Sequence, residues 1–527
     1  MDSRRPSGSC FGRWAALVAA LVAGCAHGAG QPLAAAGSGA GDRAAARQAA
    51  ASGERWLELE TPHFMVHTDA YPERATELAQ KLEHSRSMLL AAAWPMARDP
   101  GGRTHAVIFS RPSDFNRYSG RGGMVVGISV TRRGVERTIA FSPGPEGGIP
   151  SVVTHELVHD LSQWFFPLQP AWFAEGLAVY LENTRYDGSS HEVVMGEASE
   201  YSLSWMTGLR FFASAERLLG ATSPHSDDWR DVTTFYAGAW FLVTYLMNGE
   251  TEGFGQFQKR LHQLVPWQRA WNESFDGMTP AELNQKLMGY ARSGGKFTIV
   301  NTPHELPVVE PRVRALSAAE AHGVKASLAS GLAPEVAEQE AQAALALDPG
   351  ELRALSAQFR AAEDDPWARQ GIAERAVAAH PRAGEAWLMK AQANADESAR
   401  RSALEQAVAF APKHPGVALL VAQAALKRGD APRALEQVRF ALQRSALSPQ
   451  MLGLYAAALE ANGRCSEAAS IAENASGLFA ANCFMQNLGT NEPVSCAAYV
   501  QGRVGSPLAR CKRPKGPKAP TARVSAK

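Results

Sequence analysis

The strongest constraint on the fold is an apolar segment that contains two histidines and a glutamate. Residues 151–164 read SVVTHELVHDLSQW, so His155 and His159 are four positions apart. In an α-helix this spacing places both imidazoles on one face, one turn apart. The neighbouring residues are apolar nearly all round the helix, which predicts that it is buried. Polar groups on a buried helix need partners.

A metal ion would satisfy these groups together, and the following segment offers a further ligand. Residues 170–178 read PAWFAEGLA, which places Glu175 on a second predicted helix. A catalytic zinc takes three protein ligands and leaves a fourth position to water. The sequence therefore predicts one Zn²⁺ ion bound by His155, His159 and Glu175. Glu156 is the predicted general base, which accepts a proton from water.

Two residues beside this set have expected supporting roles. Gly176, next to the third ligand, is expected to let the two helices approach closely. Asp160 is a candidate hydrogen-bond partner for a ligand histidine. The alternative interpretation of the whole motif is that its histidines are core residues hydrogen-bonded to carbonyl groups.

The spacing of apolar residues predicts mixed α and β structure around this motif. Expected strands lie at residues 57–59, 63–67, 104–109 and 138–141. Besides the two metal-site helices, expected helices lie at residues 73–90, 233–247 and 282–291. Prolines at positions 303, 307 and 311 then interrupt the pattern. The predicted α+β domain therefore covers residues 55–300.

Residues 318–476 have a helical pattern, are rich in alanine and are partly repetitive. The segment LKRGD around Gly429 returns as EANGR around Gly463, 34 residues later. This period, with a small residue in the turn between paired helices, resembles the tetratricopeptide repeat. The expected all-α solenoid would offer a concave surface to a protein partner. A helical bundle without true repeats is the alternative.

The N-terminus has the pattern of an export signal. Basic residues precede an apolar run at residues 14–23, which is too short to span a bilayer as a mature helix. The run ends in VAGC, which resembles the lipobox of bacterial lipoproteins and implies removal of residues 1–24 and lipidation of Cys25. Residues 25–54 are then a flexible tether. By resemblance to lipoprotein sorting, Ala26 favours the outer membrane, facing the periplasm. An ordinary secretory signal is the alternative.

Charge and cysteine content limit the partners and the compartment. The formal net charge is +1, from 53 basic and 52 acidic residues, so no overall field favours nucleic acid. The cysteines beyond the signal are even in number, which fits two disulfides in an oxidising compartment. They are Cys465, Cys483, Cys496 and Cys511, and three pairings are open. Residues 477–527 form a basic tail that contains three of them.

The motif HELVH at residues 155–159, followed by WFAEGLA at residues 172–178, resembles the gluzincin metallopeptidases, and specifically the peptidase-MA-like proteins of bacteria. The resemblance extends over about residues 56–291. It implies a zincin-like fold, the ligand and base roles given above, and Tyr236 as a donor to the oxyanion. A tyrosine packed in the core is the alternative, and His225 is a weaker candidate. The short gap between the second and third ligands does not support aminopeptidase specificity.

These features together predict a zinc metallopeptidase that is held at the bacterial envelope by a lipid and cleaves envelope or periplasmic polypeptides. The helical repeats would bind the substrate or a protein partner. An extended peptide could pair with a strand at residues 124–130 or 138–142. One alternative is a catalytically inactive lipoprotein scaffold that acts through its repeats. Another is hydrolysis of a non-peptide amide.

Overall fold

The protein is a mixed α+β molecule with one large sheet, one small sheet and many helices. The computed structural model describes residues 56–95, 103–120, 127–132, 135–142, 151–198, 203–204, 213–221, 229–295, 298–445 and 449–471. Within these ranges we find no helix both long enough and apolar enough to cross a bilayer.

The described residues contain nine strands. They are β1 (Leu57–Glu60), β2 (Phe64–Thr68), β3 (Thr104–Ile108), β4 (Gly127–Arg132), β5 (Val135–Phe141), β6 (Arg185–Asp187), β7 (Glu192–Met195), β8 (Val300–Pro303) and β9 (Arg312–Ala315). The large sheet has the order β4-β5-β3-β2-β1-β9, and the small sheet has the order β6-β7-β8. In the large sheet, β2, β3 and β5 are parallel, whereas β4, β1 and β9 pair antiparallel with their neighbours.

Side chains of the large sheet alternate between two covered faces, because successive residues of a strand point to opposite sides. The first face carries Leu57, Leu59 and Phe64, which belong to the main apolar core. The second face carries Val107 and Ala140, which belong to a separate core. Both faces of the central strands are therefore shielded from water.

The helices before the repeats surround the first face. They are α1 (Pro72–Ala93), α2 (Pro112–Ser119), α3 (Ser151–Phe165), α4 (Ala171–Leu181), α5 (Ala215–Gly220), α6 (Trp229–Gly249), α7 (Thr251–His262), α8 (Trp267–Ser274) and α9 (Pro280–Arg292). The N-terminal end of α9 is stabilised by its local sequence. Thr279 and Glu282 form a capping box there, and Pro280 lies in the first turn. Helix α2 is the exception in position, because its Phe115 and Tyr118 pack on the second face.

The later helices carry the repeat-like part of the sequence. They are α10 (Ala318–Ala329), α11 (Pro334–Leu347), α12 (Leu352–Ala361), α13 (Pro366–Ala379), α14 (Gly384–Ala393), α15 (Glu397–Phe410), α16 (Pro415–Lys427), α17 (Ala431–Arg444) and α18 (Pro449–Ala461). The two matching turns share one conformation. Gly429 and Gly463 have φ of 80° and 74°. The amide of the next residue bonds back to Ala425 O and Leu459 O, at 2.9 Å in both turns. A tetratricopeptide solenoid as such stays a prediction.

The first helix of this series shares a core with the sheet. Strand β9 pairs with β1 through four residues, from Arg312 to Ala315. Val324 and Leu328 of helix α10 then pack on the second face, in the same core as Trp56. Residues on both sides of the expected boundary at 300–318 therefore belong to one sheet and one core. The division into domains stays a prediction.

The described residues divide into two compact units. The first runs to Leu420 and includes residues 440–445, and the second comprises Val421–Arg439 and residues 449–471. All of the sites discussed below lie in the first unit.

Several expectations concern residues outside the described ranges. They are the signal at 1–24, Cys25, the tether at 25–54, His225, the peptide-pairing segment at 124–126, and the tail at 477–527 with Cys483, Cys496 and Cys511. Cys465 is described and forms a disulfide bond.

Candidate metal centre

Two consecutive helices bring the three predicted ligands together. His155 and His159 are one turn apart on α3, and their rings are 4.8 Å apart between centroids. Glu175, from the second turn of α4, turns its Oε2 to both imidazoles. This oxygen lies 3.5 Å from His155 Nε2 and 3.3 Å from His159 Nε2. One nitrogen of each histidine and one carboxylate oxygen lie within 4.8 Å of one another.

The three ligand candidates are held in apolar surroundings. The side chains of His155, His159 and Glu175 are 0%, 12% and 7% exposed. Burial acts to raise the pKa of Glu175, but the adjacent His159 and His155 outweigh it and hold that pKa well below its ordinary value. A carboxylate that stays ionised in such a place supplies the negative charge that a divalent cation attracts.

The chemistry of the donor set fits zinc. Two imidazole nitrogens and one carboxylate oxygen are the ligands found in catalytic zinc sites, where a fourth position stays open. An ordinary ion pair between a histidine and a carboxylate involves one imidazole. Here the imidazoles of both His155 and His159 lie close to one oxygen of Glu175. Among the described residues, this is the one group of three such side chains that could hold a metal ion.

Glu182 is a supporting residue to which the sequence analysis assigned no role. Its Oε2 lies 3.0 Å from His155 Nδ1, on the side of the ring away from Glu175. A carboxylate at the second nitrogen fixes the orientation and the tautomer of a ligand histidine. Glu182 caps the C-terminal end of α4, seven residues after Glu175, so both carboxylates lie on the same side of the helix. That spacing is a signal from which Glu182 could have been found.

The role expected for Asp160 was wrong. Its Oδ2 accepts a hydrogen bond from Thr104 Oγ1 at 2.6 Å, at the start of β3. Asp160 therefore ties the metal-site helix to the sheet.

Tyr236 lies beside His155, and its role as a donor to the oxyanion stays a prediction. It is 2% exposed on α6, and its ring centroid is 6.4 Å from that of His155. The 30° angle between the two rings is neither a stack nor an edge contact. The sequence-predicted base, Glu156, is also buried, at 1% exposure.

Gly176 allows a close helix approach, but of a different pair from the one expected. A Cβ added there would lie 2.3 Å from Ala239 O and 2.7 Å from Val243 Cγ2, both on α6. Gly176 therefore brings α4 against α6, the helix of Tyr236, rather than against α3. The third ligand and the tyrosine take their relative position from this crossing.

Strand β4 lies at one end of the large sheet, beside the metal-site helix. It pairs with β5 along one side, from Gly127 opposite Phe141. A Cβ added at Gly127 would touch Val152 of α3 at 3.3 Å, so the start of β4 packs beside the metal-site helix. Strand β5, the other segment suggested for peptide pairing, lies between β4 and β3 and is closed on both sides.

The fold and the site thus define a mixed α+β protein with a candidate three-ligand metal centre. No family model matches the chain, and comparison with curated proteins found no significant match.

Proposed function

We propose that this protein is a zinc-dependent metallopeptidase. The observation that carries the proposal is the convergence of His155, His159 and Glu175 within 4.8 Å at a buried point. These residues would hold one Zn²⁺ ion. A zinc ion supplies Lewis acidity, which polarises a carbonyl and lowers the pKa of water.

Three further side chains have separate roles in the proposed reaction. Glu156 accepts the proton of the attacking water and later passes it to the leaving amine, as a general base and then a general acid. Tyr236 donates a hydrogen bond to the oxygen on which negative charge develops. Glu182 keeps the ring of His155 in place through its Nδ1 contact of 3.0 Å.

The substrate proposed is an extended polypeptide. Strand β4 is an edge strand beside α3, and main-chain groups of a peptide can pair with such an edge. The proposed location is the bacterial envelope, facing the periplasm, with a lipid on Cys25 as the anchor and the helical repeats as the binding site for substrate or a protein partner. These proposals rest on sequence resemblance.

Metal analysis of the full-length chain tests the site. Wild-type protein purified with zinc should contain about one zinc per chain, and His155→Ala should contain none. His191→Ala is a matched control, because His191 lies in the turn between β6 and β7 and is exposed. Absence of zinc from the wild type, or equal zinc in His155→Ala, contradicts the proposal.

Catalysis is tested separately from metal binding. Glu156→Gln keeps the size of the side chain and leaves the three ligands in place, so the zinc content should be unchanged. Cleavage of a fluorescein-labelled unfolded protein should fall by about 10²-fold or more, because a general base contributes that much. Full biological activity of this variant would favour the alternative function, a catalytically inactive scaffold that acts through the helical repeats.

A further inference from the structure

Helix α17 ends beside the helix that carries two of the proposed zinc ligands. The guanidinium carbon of its last residue, Arg444, lies 4.0 Å from the centre of the Trp164 ring on α3. The same carbon lies 3.9 Å from the centre of the Phe440 ring on α17. All three residues belong to the first compact unit. We call this arrangement of one cation and two aromatic rings the arginine brace.

The geometry of the brace is that of a favourable cation–π contact. An arginine within about 6 Å of a ring centroid is attracted by the negative face of the ring, and its planar guanidinium can stack there. The three residues are partly buried, which strengthens the attraction because less water competes for the charge. Phe440 and Arg444 are four positions apart, so they lie on one side of α17. That side therefore presents both a ring and a cation to Trp164.

Trp164 lies on the side of α3 opposite to the ligands. It follows His155 by nine positions, which is about two and a half helical turns. Asp160, one turn before Trp164, shares that side and accepts the hydrogen bond from Thr104. The ring of Trp164 also packs at the margin of the main apolar core. Helix α3 is therefore supported from behind by the sheet and by α17.

A support behind α3 matters to the metal centre because the ligand set is divided between two helices. Glu175 Oε2, on α4, lies 3.3 Å from His159 Nε2 on α3. Distances between zinc and its ligands tolerate only about 0.2 Å. A small shift or rotation of α3 relative to α4 therefore disturbs the ligand geometry. Helix α17 belongs to the repeat-like part of the chain, because it follows the matching turn at Gly429.

We propose that Arg444 is a positioning residue, through which the helical repeats act on the proposed metal centre. Arg444 acts through Trp164, by keeping α3 at the distance from α4 that the zinc ligands require. Movement of the end of α17 then changes the affinity of the site for zinc. The inference rests on the proposed zinc site, and it adds a route by which the repeats regulate that site.

Zinc affinity of full-length variants, measured in competition with a chelator, tests the brace. Arg444→Met keeps a long apolar side chain but removes the charge. It should weaken zinc binding by about 3–30-fold, the range expected for loss of a cation–π contact. Arg444→Lys keeps a cation and should recover part of this loss. Arg433→Met is the matched control, because Arg433 is an exposed arginine of the same helix, and it should bind zinc as the wild type does.

A double-mutant cycle separates the contact from general packing. Trp164→Leu should lower the zinc affinity by a factor similar to that of Arg444→Met. Combining the two should cause almost no further loss, because each change already removes the same contact. Equal zinc affinity of Arg444→Met and the wild type overturns the proposal. A double variant whose loss equals the product of the two single losses overturns it as well.

Hydrogen exchange of the metal-free, full-length chain keeps the test independent of zinc binding. Amide exchange in α3 should be about threefold or more faster in Arg444→Met than in the wild type, whereas exchange in α9 should be unchanged. If the wild type binds no zinc but α3 shows this change, the metal site is refuted and the contact of α17 with α3 is supported. Unchanged exchange in α3 overturns the brace even when the wild type binds zinc.

Discussion

A methyl group at position 176 should separate two helices that the metal centre needs in contact. In Gly176→Ala, the new Cβ would lie 2.3 Å from Ala239 O, although ordinary contacts begin at 3.4 Å. Helix α4 must then move away from α6 by about 1 Å. The neighbouring atom is a backbone oxygen and cannot rotate aside. Overpacking of this kind costs about 3 kcal/mol of unfolding free energy.

The matched control is Gly255→Ala, because Gly255 lies within α7 and has nothing within 4 Å of an added Cβ. Alanine is the better helix former there, so this variant should gain about 0.5–1 kcal/mol. The same chemical change thus has opposite expected signs at two positions. Differential scanning calorimetry should show Gly176→Ala melting about 5 °C below the wild type, and Gly255→Ala slightly above it.

Zinc affinity gives a second result for the same variant. Glu175 precedes Gly176 on α4, and a shift of about 1 Å exceeds the tolerance of about 0.2 Å in zinc–ligand distances. Affinity should therefore fall by about tenfold or more in Gly176→Ala. Equal melting temperatures of Gly176→Ala and the wild type would refute the close crossing of α4 and α6 on which this reasoning depends.

Three further outcomes can be stated. Glu182→Gln should weaken zinc binding by about 10–100-fold in competition with a chelator, with little change in melting temperature, because only the orientation of His155 is lost. Zinc at about 100 times its dissociation constant should stabilise the wild type by about 2.7 kcal/mol and leave His155→Ala unchanged, as measured by chemical unfolding. Glu58→Gln should destabilise the protein by about 2 kcal/mol at pH 7. His67, Arg314 and Arg353 lower the pKa of Glu58 from 4.5 to about 2, so this stability should be lost as pH falls from 4.5 towards 2, where variant and wild type converge.

Much of the metal centre could be predicted because its residues are close in the sequence. His155 and His159 share one helix turn, and Glu175 follows on the next helix, so helical periodicity alone brings them to one region. The helices predicted at 73–90, 233–247 and 282–291 are present, as residues 72–93, 229–249 and 280–292. Long periodic patterns predict such helices well, and a proline marks the start of both α1 and α9.

The features that were missed depend on contacts between distant residues. Strand β9 has the sequence RVRA, whose side chains are all exposed, so no alternation of apolar residues marks it as a strand. It forms because β1 offers a free edge 255 residues earlier. The small sheet also depends on a contact between distant residues, because β8 pairs with β7 across more than 100 residues of sequence. The helix that Gly176 contacts could not be predicted from the sequence either. A glycine permits a close approach, but it does not indicate which helix approaches.

The pairing of β9 with β1 also determines when the large sheet can be completed. During synthesis the strand at 57–60 emerges early, but its outer edge stays open until residues 312–315 have followed. Until then the nascent chain presents unpaired backbone groups, which can associate with other chains. Contacts of such long range also form slowly. The sheet therefore stays incomplete for as long as about 250 residues take to be synthesised, at about 5–20 residues per second.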